Sequence, residues 1–131
     1  MQITLETDYA VRCLVYLKNH MDKVSVLGGI AKDTRIPTAF LSKILQKMIK
    51  RGLVTSQKGK KGGFVLAKDP DKISVYNIMQ AVCGCETVMK VVCSKTNTPC
   101  VFLKSCRIHG VWVDLGKIMK MILESRKLSQ L

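Results

Sequence analysis

The stretch from Pro37 to Gly52 constrains this chain more than any other. Leu41, Ile44, Leu45, Met48 and Ile49 recur at i, i+3, i+4, i+7 and i+8 without a miss. That spacing draws one continuous apolar stripe along a helix. Pro37 opens the helix, and Gly52 ends it after Arg51, the usual placement of proline at a helix start and glycine past its end. The opposite face carries Thr38, Ala39, Ser42, Lys43, Gln46, Lys47 and Lys50. A charged outer face is ordinarily solvated surface, but a merely solvated helix mixes signs for stability. Here seven Lys and Arg fall between Lys43 and Lys61, with no acidic residue among them.

The flanks extend the pattern. Thr7 to His20 reads as a helix, with Ala10, Cys13, Leu14 and Leu17 on one face, Thr7 as its cap and Asp8 at its positive end. Ser25 to Asp33 reads as a second, short helix with Leu27, Ile30 and Ala31 inward, broken by Thr34 to Pro37. After Gly52, the β-prone segments Leu53–Gln57 and Phe64–Ala67 flank a basic tip of Lys58, Gly59, Lys60, Lys61, Gly62 and Gly63. This is a hairpin whose glycines supply turn conformations and let backbone N–H groups approach phosphate. The Walker spacing and its Ser/Thr are absent, so it is no nucleotide-binding loop.

Helix, short helix, turn, helix and basic hairpin is the order of a winged helix-turn-helix. The fold expected is mainly α with a small β wing, the third helix lying in the major groove of double-stranded DNA. Thr38, Ala39, Ser42, Lys43 and Gln46 would face the bases. Lys58, Gly59, Lys60, Lys61 and Gly62 would meet the backbone or minor groove. The net charge of +13 over 131 residues fits a polyanionic partner. With 47% hydrophobic residues the chain can build a core, whereas 5% aromatics is too few for a base-stacking platform. No apolar run of ~18 residues exists to span a membrane. Met1 to Tyr9 carries Glu6 and Asp8 and no apolar core of a secretory signal, so a cytoplasmic location is expected.

Further on, Asp69-Pro70-Asp71 is a turn, and Ser74 to Val82 is a short helix that Ser74 can cap. Cys83 to Arg107 shows no periodicity and reads as a long functional loop. Ile108 to Leu128 is helical again, with Ile108, Trp112, Leu115, Ile118 or Met119, and Ile122 on a seam close to a 3.5-residue repeat. One helix beside a small domain cannot bury such a seam, and pairing with a second copy does so economically. The expected organisation is a DNA-binding domain over 1–82, a cysteine-rich loop over 83–107 and a dimerisation helix over 108–131.

Five of the six cysteines, Cys83, Cys85, Cys93, Cys100 and Cys106, fall within that loop segment. In a reducing compartment such a cluster points to metal or redox chemistry rather than a disulfide framework. Cys13, on an apolar helix face, reads as a small core residue. Cys93-x6-Cys100-x5-Cys106, with His109 three residues later, offers soft thiolates suited to an iron–sulfur cluster or zinc. The tight pairs of zinc fingers are absent, and Cys83-Gly84-Cys85 is too close for them. A fourth ligand is wanted, from His109, from elsewhere in the fold or from a partner chain. Two alternatives to a cluster-bearing regulator are a thiol- or zinc-based redox regulator, and a basic metal-handling protein that binds no specific DNA. An enzyme finds little support, because only His20 and His109 could serve as imidazole bases and no Ser/His/Asp set exists.

These motifs together resemble the Rrf-two family of bacterial winged-helix regulators, which includes the iron–sulfur regulators IscR, NsrR and RirA. The likeness runs through Thr7-Asp8-Tyr9-Ala10-Val11-Arg12, Phe40 to Gln46, Gly52-Leu53-Val54, the Lys58 to Phe64 wing and the three spaced cysteines. The resemblance implies a homodimer with crossed C-terminal helices. It also implies transcription regulation, usually repression, switched by a 2Fe-2S or 4Fe-4S cluster. It assigns Cys93, Cys100 and Cys106 as cluster ligands. His109 matches the IscR type of fourth ligand, and Asp8 the NsrR type, in which the partner subunit supplies it. The Thr-Asp-Tyr context, and the lability of a hard carboxylate on a soft cluster, favour Asp8. The first cysteine gap of six residues exceeds the family's common five, and Cys83 and Cys85 have no family role to inherit.

Overall fold

The computed structural model describes residues 3–84 and 100–131. In chain order these form α1 (Leu5–Asn19), α2 (Leu27–Thr34), α3 (Thr38–Lys50), β1 (Val54–Gln57), β2 (Gly63–Leu66), α4 (Val75–Cys83) and α5 (His109–Ser125). Single 3-10 turns sit at Pro70–Lys72 and Leu128–Gln130. The architecture is the expected one, mainly helical with a two-stranded antiparallel wing.

The stripe on α3 does what its spacing requires. Leu41, Ile44, Leu45 and Met48 are fully buried, and Ile49 is packed against the same core. They meet Ala10, Cys13, Leu14 and Leu17 of α1 and Ile78, Ala81 and Val82 of α4. Each large side chain so buried stabilises the fold by about 1.5–3 kcal/mol. The turn into α3 passes through Arg35 in the left-handed region (φ 56°) and Ile36, which is buried. Pro37 stands just before α3, and Gly52 (φ 68°) lets the chain leave toward β1.

Several boundaries differ from the sequence expectation. Thr4, not Thr7, caps α1: its hydroxyl accepts from the Thr7 N–H at 3.3 Å, while Thr7 itself is buried in the first turn. A helix gains by starting one turn earlier here, because this places Glu6 as well as Asp8 at its positive end. Ser25 does not start α2. It exchanges two backbone hydrogen bonds with Phe64, at 3.0 and 2.8 Å, and so adds a bridge to the wing. α2 begins instead at Leu27.

Ser74 caps α4 as expected, in a full capping box. Its hydroxyl accepts from the Asn77 N–H at 3.1 Å, and Asn77 Oδ1 accepts from the Ser74 N–H at 2.9 Å. α5 starts at His109 and ends at Ser125 rather than reaching Leu128. Beyond it the chain turns back. Arg126 O accepts from the Val75 N–H at 2.9 Å, the Leu128 N–H donates to Ile73 O at 2.8 Å, and Leu128 is fully buried in the main core. No helix among the described residues is long and apolar enough to cross a membrane.

Candidate functional site

The residues expected to meet DNA lie where a duplex could reach them. Thr38, Ala39, Lys43 and Gln46 are exposed on α3, and Ser42 is half-buried beside them. Lys58, Gly59, Lys60 and Lys61 are exposed at the wing tip, and Gly62 is half-buried at its base. Glycine is required at two of these positions. Gly59 holds φ at 108°, and a Cβ on Gly62 would collide with the Gln57 main-chain oxygen. The tight tip therefore carries three lysines on a backbone that no bulkier residue would allow.

Two residues of α3 behave otherwise than their place in the sequence indicates. Phe40 stands outside the apolar stripe and is 55% exposed, beside Thr38 and Ala39. Tyr9 of α1 braces it edge-on, with ring centroids 6.3 Å apart. A large aromatic out of phase with its helix's buried face was the one signal available for it. Lys47, grouped with the outer face by its spacing, lies at the edge of that face, its side chain 41% exposed and bent toward α1 and α4. Its ammonium pairs with the Glu6 carboxylate and donates to the main-chain oxygen of Val82 at 3.2 Å.

The candidate metal ligands are placed less completely. Cys93 lies outside the described residues, as does Cys85. Cys100 and Cys106 are half-buried on the turns leading to α5, and Cys83 ends α4. Among the described residues no three His, Cys, Asp or Glu side chains form a group able to hold a metal ion.

Two observations bear on the fourth ligand. His109 opens α5 with its Nδ1 buried and without a hydrogen-bond partner among the described residues. A buried polar nitrogen left so costs about 1–3 kcal/mol, which a ligand bond would remove. Asp8 pairs with Arg12 one turn on, at 2.6 Å, and the Arg12 guanidinium lies 5.9 Å from the centre of the Tyr9 ring. Both side chains of that pair are about half exposed. Such a pair contributes only about 0.3–0.5 kcal/mol and does not prevent the carboxylate from exchanging to a metal. The donor set of three thiolates with an imidazole or carboxylate fits an iron–sulfur cluster.

The other sulfur and imidazole groups have structural settings. Cys13 is fully buried among α1 core residues, and desolvation pushes its thiol from 9.0 up to about 12. His20 caps the end of α1, stacks on Tyr16 with ring centroids 4.1 Å apart and places Nδ1 2.8 Å from Tyr16 O.

Residues 3–131 match the family described as Iron-dependent Transcriptional regulator, Rrf2. The HTH-type transcriptional regulator NsrR of Shouchella clausii is 33% identical over 112 residues, which span 85% of this chain and 74% of that protein. Among solved structures, IscR of T. potens superposes with a TM-score of 0.75 at 24% identity, covering 99% of this chain and 85% of its own. CymR, the global cysteine regulator of B. subtilis, superposes at 0.78 with 22% identity, covering 99% and 95%. At those identities the two structures speak for the fold.

Proposed function

This chain belongs to the Rrf2 family of transcriptional regulators, and we propose that it is a homodimeric regulator whose affinity for its operator is switched by an iron–sulfur cluster, 2Fe-2S or 4Fe-4S. Transcription regulation is a non-enzymatic function, carried out by binding DNA. The observation that carries the DNA-binding part is the exposed polar face of α3 next to a lysine-tipped wing, in a segment with no acidic residue from Lys43 to Lys61.

Thr38, Ala39, Ser42, Lys43 and Gln46 read the major groove. Lys43 suits a guanine edge and Gln46 an adenine edge, each at about 1–3 kcal/mol of discrimination. Phe40, exposed in the same turn, offers an apolar surface to a thymine methyl. Lys58, Lys60 and Lys61 neutralise phosphates, and Gly59 and Gly62 shape the tip that brings them there.

Cys93, Cys100 and Cys106 hold the cluster, and the fourth position falls to Asp8 or His109. The buried Nδ1, which has no hydrogen-bond partner among the described residues, supports His109. The weak, exposed Arg12 pair leaves Asp8 available. When bound, such a cluster supplies a centre that oxidants, iron shortage or nitric oxide can alter. The chain's own part is to release or reorient the ligand-bearing segments when that happens. Repression is the mode that the family resemblance implies.

Anaerobic purification, followed by an absorbance spectrum and iron and sulfide counts per chain, tests this. Cys93→Ser, Cys100→Ser and Cys106→Ser should each lose the cluster, whereas Cys13→Ser and Cys83→Ser should keep it. Asp8→Ala and His109→Ala, compared under the same conditions, identify the fourth ligand. Operator binding by a wild-type chain that takes up no iron or sulfide would replace the cluster with the thiol-based alternative.

A further inference from the structure

Lys43 and Lys50 are exposed along α3, but Lys47 between them is half-buried and bends toward α1 and α4. Its two partners are distant in sequence, 41 residues away at Glu6 and 35 away at Val82. Glu6 lies in the first turn of α1, two residues before Asp8. Val82 lies in the last turn of α4, immediately before Cys83 and the cysteine-bearing segment. One ammonium on the recognition helix therefore grips both stretches of chain that lead to the proposed cluster ligands.

The physical character of this tie differs from the packing around it. The stripe of Leu41, Ile44, Leu45 and Met48 holds α3 by apolar contact, which is non-directional. Charge-assisted hydrogen bonds are directional and fix where a group sits. The last carbonyls of a helix have no partner within it, and a cation is favoured at that end. Lys47 thus meets a terminal carbonyl of α4 and the carboxylate of α1 at once, and it adds a directional constraint to the apolar packing that holds α3 against both.

We propose that Lys47 is a positioning residue that couples the state of the sensor to the DNA-reading face. A change of ligation that draws on Asp8 moves Glu6, and one that draws on the cysteine segment moves Val82. Lys47 follows either partner and turns the adjoining Lys43 and Gln46 relative to the groove. The inference rests on the cluster-switched function proposed above.

The experiment measures affinity for a duplex selected from a random pool, with the full chain cluster-loaded and cluster-free. Wild type is compared with Lys47→Met, Lys47→Arg and Glu6→Gln, with iron and sulfide counted for each. Wild-type affinities should differ between the two states by at least about fivefold. Lys47→Met should keep its iron and sulfide but bring the ratio of loaded to free affinity within about twofold of one. Lys47→Arg, which keeps a cationic donor, should recover part of the wild-type ratio. If Lys47→Met does not fold, Glu6→Gln carries the test, since it removes one charge of the tie and must lower the ratio.

A wild-type ratio retained in Lys47→Met or Glu6→Gln overturns the role of Lys47. So does an equal loss of affinity in both states with the ratio retained, which would mark Lys47 as a plain phosphate contact. A wild-type chain that takes up no cluster, or binds DNA equally in both states, refutes the cluster switch itself, and the coupling falls with it.

Discussion

Replacing Ile118 by Glu should convert the protein from dimer to monomer without unfolding it. Along α5 and its approach, Ile108, Val111, Trp112, Leu115, Ile118, Met121 and Ile122 are each between 40% and 68% exposed. Full burial of a large apolar side chain is worth about 1.5–3 kcal/mol, so covering the remaining half of each stabilises by about 1 kcal/mol. Seven such residues on each of two helices give roughly 14 kcal/mol before the cost of association. That cost is about 4–15 kcal/mol. Near its lower end it leaves on the order of 8–10 kcal/mol, a dissociation constant of about 1 µM or below. Ile118→Glu removes an apolar side chain from each helix and forces two carboxylates into the seam, each at a cost of several kcal/mol. Even a loss of only about 4 kcal/mol, less than these terms together, weakens association roughly a thousandfold. Since Ile118 is 54% exposed in the single chain, helical circular dichroism should hold while sedimentation velocity at about 10 µM shows a monomer. A wild-type monomer at that concentration, or an Ile118→Glu dimer, would refute the seam as a dimer interface.

The remaining predictions concern the wing, a cap and a thiol. Lys60→Ala with Lys61→Ala should weaken binding to all duplexes alike. The salt slope should fall by about 0.9 for each phosphate these lysines no longer neutralise, read from titrations at several salt concentrations. Ser74→Ala breaks the capping box of α4 and should cost about 1 kcal/mol, seen as a fall of a few degrees in Tm. Cys13 should resist iodoacetamide in the native protein at pH 8 and react only after unfolding. Its thiol sits at about 12 when folded against 9.0 when free, so its contribution to stability is complete below pH 9. That contribution declines as pH rises from there toward 12, by about 1.4 kcal/mol per unit. Cys13→Ala should flatten that alkaline loss in chemical denaturation.

The features legible in the amino-acid sequence were those set by near neighbours. The α3 stripe follows from a 3.6-residue period, so Leu41, Ile44, Leu45 and Met48 could be assigned to the core without coordinates. The wing was equally legible, because Gly59 and Gly62 are demanded by local backbone geometry. The Ser74 cap needs only Asn77 three residues away.

Tertiary structure decided whatever depends on residues far apart in the chain. Spacing puts Lys47 on the solvent side of α3, yet Glu6 and Val82, 41 and 35 residues off, hold its ammonium at the edge of that face. Ser25 looked like a helix start, but pairing with Phe64 satisfies its backbone N–H and C=O in the wing. Leu128 looked like the end of a long helix, but burial beside Ile73 gains more than another turn of exposed helix would. Helix period and turn chemistry act over a few residues and can be read along a line. A charge or an apolar side chain finds its partner only when the chain has folded back on itself.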